Sequence, residues 1–121
     1  GGLSSGLINE QRLPCLDFVD DFCDFDGVKI LMCHHPEYYE KYLKDARLDL
    51  VVSGHAHGGQ WRIPGLINGV YAPHQGILPA YAGGRYEENG TTMIVSRGLA
   101  QETTWVPRIF NRPELVIIDL Q

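Results

Sequence analysis

The sequence predicts an α/β domain, and three observations carry that reading. Two short apolar runs, "GVKILMC" over 27–33 and "LDLVVSG" over 48–54, flank a segment with helical spacing. Strand, helix, strand over 27–54 is the pattern of a βαβ unit, whose two strands run parallel. Further on, "RYEENGTTMIVSRG" sets Asn89-Gly90 between strand-like runs, a hairpin signal that adds antiparallel pairing and widens the class to α+β.

The elements follow in order. "LPCLDFVDDFC" over 13–23 places Leu13, Leu16, Val19 and Phe22 at helical intervals with aspartates between them, so it reads as an amphipathic helix. After the first strand, "PEYYEKYLKDAR" opens with Pro36, suited to a first helical turn, and lines Tyr39, Tyr42, Leu43 and Ala46 along one stripe. A right-handed crossover then brings both strand ends to the same edge of the sheet. From 58 to 81 the chain is rich in Gly and Pro and has little periodicity, which predicts a long functional loop. "ELVIIDL" over 114–120 reads as a closing strand.

Composition narrows the function. With 121 residues, 44% of them apolar and 21% charged, the chain fits one soluble globular domain at most. Its net charge of −5 argues against nucleic acid as a bulk partner, because binding a phosphate backbone draws on clustered Lys and Arg. Cys15, Cys23 and Cys33 show no CxxC spacing and read as reduced core thiols. No apolar run approaches the roughly 20 residues of a membrane helix, and "GGLSSGLINE" has no signal-peptide pattern, so the chain reads as soluble.

Histidines stand out. His34 and His35 follow the first strand directly, while His55 and His57 follow the second. Ligands of open α/β sheets gather beyond the carboxyl ends of parallel strands, so the two loops should meet. Neutral imidazole is among the commonest ligands for transition metals. Gly54, Gly58 and Gly59 would let the backbone turn sharply enough to aim both side chains of the His-x-His into one cavity. A lone His-x-His in a loop is usually exposed and idle; two histidine loops at neighbouring strand ends favour a metal.

"LMCHHPEYY" together with "LVVSGHAHGGQW" resembles the carboxyl-terminal half of calcineurin-like metallophosphoesterases, with an apolar strand ending in His-x-Pro and a later Gly-His-x-His. "VYAPHQGILPAYAGGRYEENGTTMIVSRGLA" and "PRIFNRPELVIIDL" resemble the tail of one branch, the bacterial membrane-associated-type phosphohydrolases. The resemblance implies part of a four-layer αββα sandwich and hydrolysis of phosphoric ester bonds at a two-metal centre. By motif position, His34 and His55 would bind one metal and His57 the other, with Mn, Fe, Zn or Ni as candidates. His35 falls at the variable position before the proline and reads as a supporting or exposed residue.

The family's Asp-x-His, Gly-Asp-x-x-Asp and Gly-Asn-His-Asp/Glu motifs do not occur in this sequence. The expectation is therefore that residues 1–121 are the carboxyl-terminal portion of one phosphoesterase domain whose other ligands lie in an absent amino-terminal half. Alone, the chain should turn over weakly or not at all, and no catalytic residue is assigned. The alternatives are a half-domain that associates with itself or with its missing half, and a mononuclear His₃ metal protein. The substrate would be a phosphate ester, and the parent would be cytoplasmic or membrane-associated. Among loop residues, His35, Gln60 and Arg97 are candidates for substrate contact; Arg85 is a further arginine bordering the site, Trp61 reads as packing, and His74 receives no ligand role.

Overall fold

The computed structural model describes residues 1–3, 16–99 and 106–121. Its main sheet takes the strands β1 (Gly2–Leu3), β2 (Ile30–Cys33), β3 (Leu50–Ser53), β7 (Thr91–Val95) and β6 (Gly84–Glu88), in that spatial order. Two further strands, β4 (Tyr71–Ala72) and β5 (Gly76–Ile77), form a small antiparallel ribbon. The mixed α/β class is thus as the sequence predicts.

The βαβ expectation holds in its pairing. β2 and β3 are parallel, with Leu31 opposite Val51 and Met32 opposite Val52, and β3 continues parallel to β7. Side chains alternate across a pleated strand, so Leu31, Val51 and Met93 share one face and are buried, while Met32 on the other face is exposed. The buried face carries the core, which gathers Cys33, Val95, Tyr39, Leu43 and Val19 from four elements. Burying these side chains contributes about 1.5–3 kcal/mol each for the larger ones.

Helix α1 covers Leu16–Cys23, and Val19 is its buried anchor, with Phe22 half-buried against the core and Phe18 stacked on Phe22 at 5.8 Å. Leu13 and Cys15 fall outside the described residues. Cys33 is a buried free thiol whose pKa burial pushes up to about 12, and Cys23 is also free, as expected of reduced thiols.

Two expectations are corrected. The helix predicted after Pro36 is present; what changes is its form, for it is shorter than the predicted stretch and wound over Tyr39–Leu43 as a π-helical segment. Its stripe is nonetheless the predicted one: Tyr39 and Leu43 are buried, and Tyr42 and Ala46 pack against them. The segment is tied across the sheet by the Tyr39 hydroxyl donating to the Glu88 carbonyl at 2.8 Å. The wider π turn places these large aromatics on the sheet without a regular 3.6-residue repeat.

The second correction concerns 114–120, which runs without strand pairing although its residues are strong strand formers. Leu115, Ile117 and Leu120 are exposed there. A strand requires a neighbouring edge, and among the described residues this segment is held at its start by Glu114, whose N–H donates to the Gly98 carbonyl and whose carboxylate receives Arg97.

The hairpin is as predicted. Glu88 pairs with Thr91 across a two-residue turn in which Asn89 and Gly90 both have positive φ, 51° and 81°. The stretch 58–81 is largely irregular, as expected, but it does hold the β4–β5 ribbon.

Candidate metal centre

All five histidines of the chain converge beyond the ends of β2 and β3. The two strand ends are stitched together directly, since the Gly54 N–H donates to the His34 carbonyl at 3.2 Å. The chain then turns sharply: His55 and His57 sit in the left-handed region at φ 57° and 48°, as does His74 at φ 63°. Non-glycine residues rarely adopt this conformation, and clusters of them mark functional sites.

Two of the three glycines singled out in the sequence do the turning. Gly58 and Gly59 both have φ 66°. A Cβ on Gly59 would lie 2.4 Å from the Gly69 Cα, and one on Gly58 would lie 2.3 Å from the Asn111 Oδ1. Gly54 needs no such conformation; a Cβ there would meet only the His34 ring at ordinary distance.

His55 is the centre of the cluster. Its Nδ1 lies 3.2 Å from the His34 Nε2, its Nε2 lies 2.8 Å from the His74 Nδ1, and its ring centroid is 4.0 Å from that of His35. One ring nitrogen from each of His35, His55 and His74 falls within 4.8 Å of the others, so these three could hold one metal ion. His34 reaches the group through His55, and the His57 ring centroid is 6.3 Å from that of His55. Of the expected ligands His34, His55 and His57, only His55 belongs to the group that could hold an ion; His34 and His57 lie beside it, and His35 and His74 complete the group.

His35 is better equipped than its sequence position suggested. It is buried, its Nδ1 lies 3.0 Å from the Glu37 Oε1, and its ring stacks on Tyr38 at 4.8 Å. A carboxylate on one ring nitrogen fixes the tautomer and orientation of an imidazole and leaves the other nitrogen free to bind. Glu37 itself is buried, and its Oε2 has no hydrogen-bond partner among the described residues.

The donor set suits a cation. Burial holds the His55 pKa down at about 4, helped by the neighbouring His35 and His34 rings. Burial also lowers His35, against the opposing pull of Glu37, and lowers His57 together with the nearby Arg108 and His34. All three are therefore neutral at pH 7, the state in which imidazole is a ligand.

Of the candidate substrate contacts besides His35, Gln60 is buried and Arg97 is engaged by Glu114 at 2.8 Å. Arg85 pairs with Glu87, and Trp61 donates its Nε1–H to the Pro107 carbonyl at 3.0 Å. His74, Glu37 and Arg108 are the residues that sequence reasoning missed. His74 arrives through the turn between β4 and β5, 19 residues from His55; its one sequence signal is being the remaining histidine in a Gly- and Pro-rich loop.

Comparison with known proteins bears on the chemistry. The chain is 33% identical over 102 residues to the Bacillus subtilis (strain 168) uncharacterized protein YpbG, covering 80% of this chain and 33% of the relative. It is also 33% identical over 93 residues to the uncharacterized metallophosphoesterase YkuE of the same organism, covering 76% and 30%. This chain is weakly related to a metallophosphoesterase. It spans about a third of the length of these relatives. No family model and no solved structure gives a significant match.

Proposed function

We propose that the chain is the histidine-bearing carboxyl-terminal portion of a calcineurin-like metallophosphoesterase, of the bacterial membrane-associated-type branch, acting on phosphoric ester bonds at a divalent-metal centre. The observation that carries this reading is the convergence of three histidine ring nitrogens within 4.8 Å at the ends of two parallel strands. The relationship to YkuE agrees with it. In the intact protein a second sheet would complete the αββα sandwich, and added carboxylates would complete a two-metal site.

His55 is the residue that every ligand assignment shares. Motif position divides His34, His55 and His57 between two metals, whereas geometry groups His35, His55 and His74 on one ion. Neutral histidines leave the metal's positive charge uncancelled, which favours an anionic phosphate ester. The Glu37 carboxylate holds His35 by its Nδ1, so Nε2 would be the atom offered to a metal. A bound ion supplies Lewis-acid polarisation of a phosphoryl oxygen and acidifies a water near it. A second reading, a mononuclear His₃ protein, is favoured by the His35, His55 and His74 grouping and needs no added carboxylate.

Phenyl phosphate binding, measured with and without Mn²⁺, Ni²⁺ or Zn²⁺, tests the reading. Metal that binds to the chain and tightens phenyl phosphate binding supports it, with turnover of a chromogenic phosphodiester slow or absent. A chain that binds neither metal nor metal-assisted ester overturns it, and robust hydrolysis would remove the need for a missing half.

A further inference from the structure

Behind the His57 turn lies an arginine-rich region that the histidine centre does not use. Residues 107–111 are fastened along 57–62 by a series of hydrogen bonds. The Ile109 N–H donates to the Gln60 carbonyl at 3.1 Å, the Arg62 N–H to the Ile109 carbonyl at 3.0 Å, and the Asn111 Nδ2 to the His57 carbonyl at 2.7 Å. This register sets Arg108 next to the turn that carries His57.

Arg62 and Arg97 gather about the carboxylate of Glu114, and the Arg108 guanidinium lies against Arg97. Glu114 is already spent, because its two oxygens accept from the Arg97 Nη2 at 2.8 Å and from the Arg97 N–H at 3.2 Å. Arg62 is engaged by Asn68. Arg108 differs: its Nη2 donates to the Arg97 carbonyl at 2.6 Å, but its Nε and Nη1 are buried and have no hydrogen-bond partner among the described residues. Buried charged donors without acceptors are costly, so this arrangement favours an anion that completes them. Burial and the adjacent Arg97 both work against the charge on Arg108, consistent with a guanidinium lacking its counter-ion.

Arg108 also lines an open cleft of ≈ 410 Å³ together with Phe110, Asn111, Arg112 and Pro113. Two guanidiniums and no carboxylate are among these lining residues. Arg matches the oxygens of phosphate geometrically through its planar fork of N–H donors.

We propose that this cleft is an oxyanion site that takes a phosphoryl group, free or esterified, on Arg108 and Arg112. The site deepens the phosphoesterase reading, and rests on it only for which molecule carries the phosphoryl group; the binding itself requires no metal. Asn111 links the two, since one side chain borders the cleft and holds the His57 carbonyl.

The test is calorimetric titration of the chelator-treated full chain with inorganic phosphate and, separately, phenyl phosphate. Both should bind, and Arg108→Gln should weaken binding about tenfold or more, the scale of a lost charge-assisted hydrogen bond. Arg108→Lys keeps the charge without the fork and should fall between. Arg47→Gln, on an exposed arginine paired with Asp24, should change nothing. Phenyl phosphate binding at least as tightly as phosphate assigns the site to an ester, and the reverse order assigns it to free phosphate. In the wild-type chain, the Arg108 Nε–H resonance should shift saturably with phosphate, a readout that survives if Arg108→Gln fails to fold. Absent phosphate binding, an unmoved Arg108 resonance, or an Arg108→Gln chain that binds like wild type overturns the proposal. Arg108-dependent phosphate binding in a chain that never takes metal would leave this site standing and remove the phosphoesterase reading.

Discussion

β3 and the segment 114–120 are written in nearly the same residues, "LVVS" against "LVII", yet they meet opposite fates. β3 lies between β2 and β7 with its backbone paired on both sides, and Val51 is fully buried. The tail segment is unpaired among the described residues, and Ile117 is 87% exposed. Strand propensity describes side chains that fit a pleated, half-buried surface; it does not supply the surface. The difference matters for function because β3 owes its position to its neighbours, and that position delivers His55 and His57 to the end of β2.

The sharpest way to break this contrast is at the turn that follows β3. Gly59→Ala forces a Cβ to within 2.4 Å of the Gly69 backbone at a φ of 66°, so it should cost about 3 kcal/mol or more and scatter the histidines. Chemical denaturation of the variant checks this, with an unchanged midpoint counting against the tight turn. Next in size, Val51→Ala opens a cavity in the middle of the sheet and should cost about 2 kcal/mol. Its counterpart Ile117→Ala, on the exposed tail, should stay within about 0.5 kcal/mol. Equal losses for the two valine- and isoleucine-to-alanine changes would mean that the tail is packed in solution.

Acid should act on the histidine side first, because the Glu114 carboxyl, held below its ordinary range by Arg97, takes up its proton only at lower pH. His55 falls from an ordinary pKa of 6.5 to about 4 on folding, so between those values the unfolded chain binds more protons than the folded one. Its contribution to stability is complete above pH 6.5 and is lost as the pH falls toward 4. Melting temperature measured across that window should decline, and His55→Gln should flatten part of the decline.

Much of the positioning was legible from residues. The βαβ order, the Asn89-Gly90 hairpin and the placement of histidines at adjacent strand ends rest on local patterns, and local patterns survive folding. The π-helical segment was not, because Tyr39, Tyr42, Leu43 and Ala46 form an apolar stripe under either helical geometry. His74 was given no ligand role for a different reason. Its approach to His55 depends on how the β4–β5 ribbon packs against the turn at 57–59, a tertiary event with no spacing to announce it. His35 and Glu37 sit two apart where the loop enters a helix, and only burial reveals that they form a pair.

Metal stoichiometry of the purified chain tests the central claim most directly. After equilibration with Zn²⁺ or Mn²⁺ and removal of excess metal, elemental analysis should find about one divalent ion per wild-type chain and none in His55→Ala, since a neutral histidine cluster is a ligand set that one missing central imidazole dismantles. A metal-free wild-type chain, or a His55→Ala chain that keeps its ion, would contradict the account.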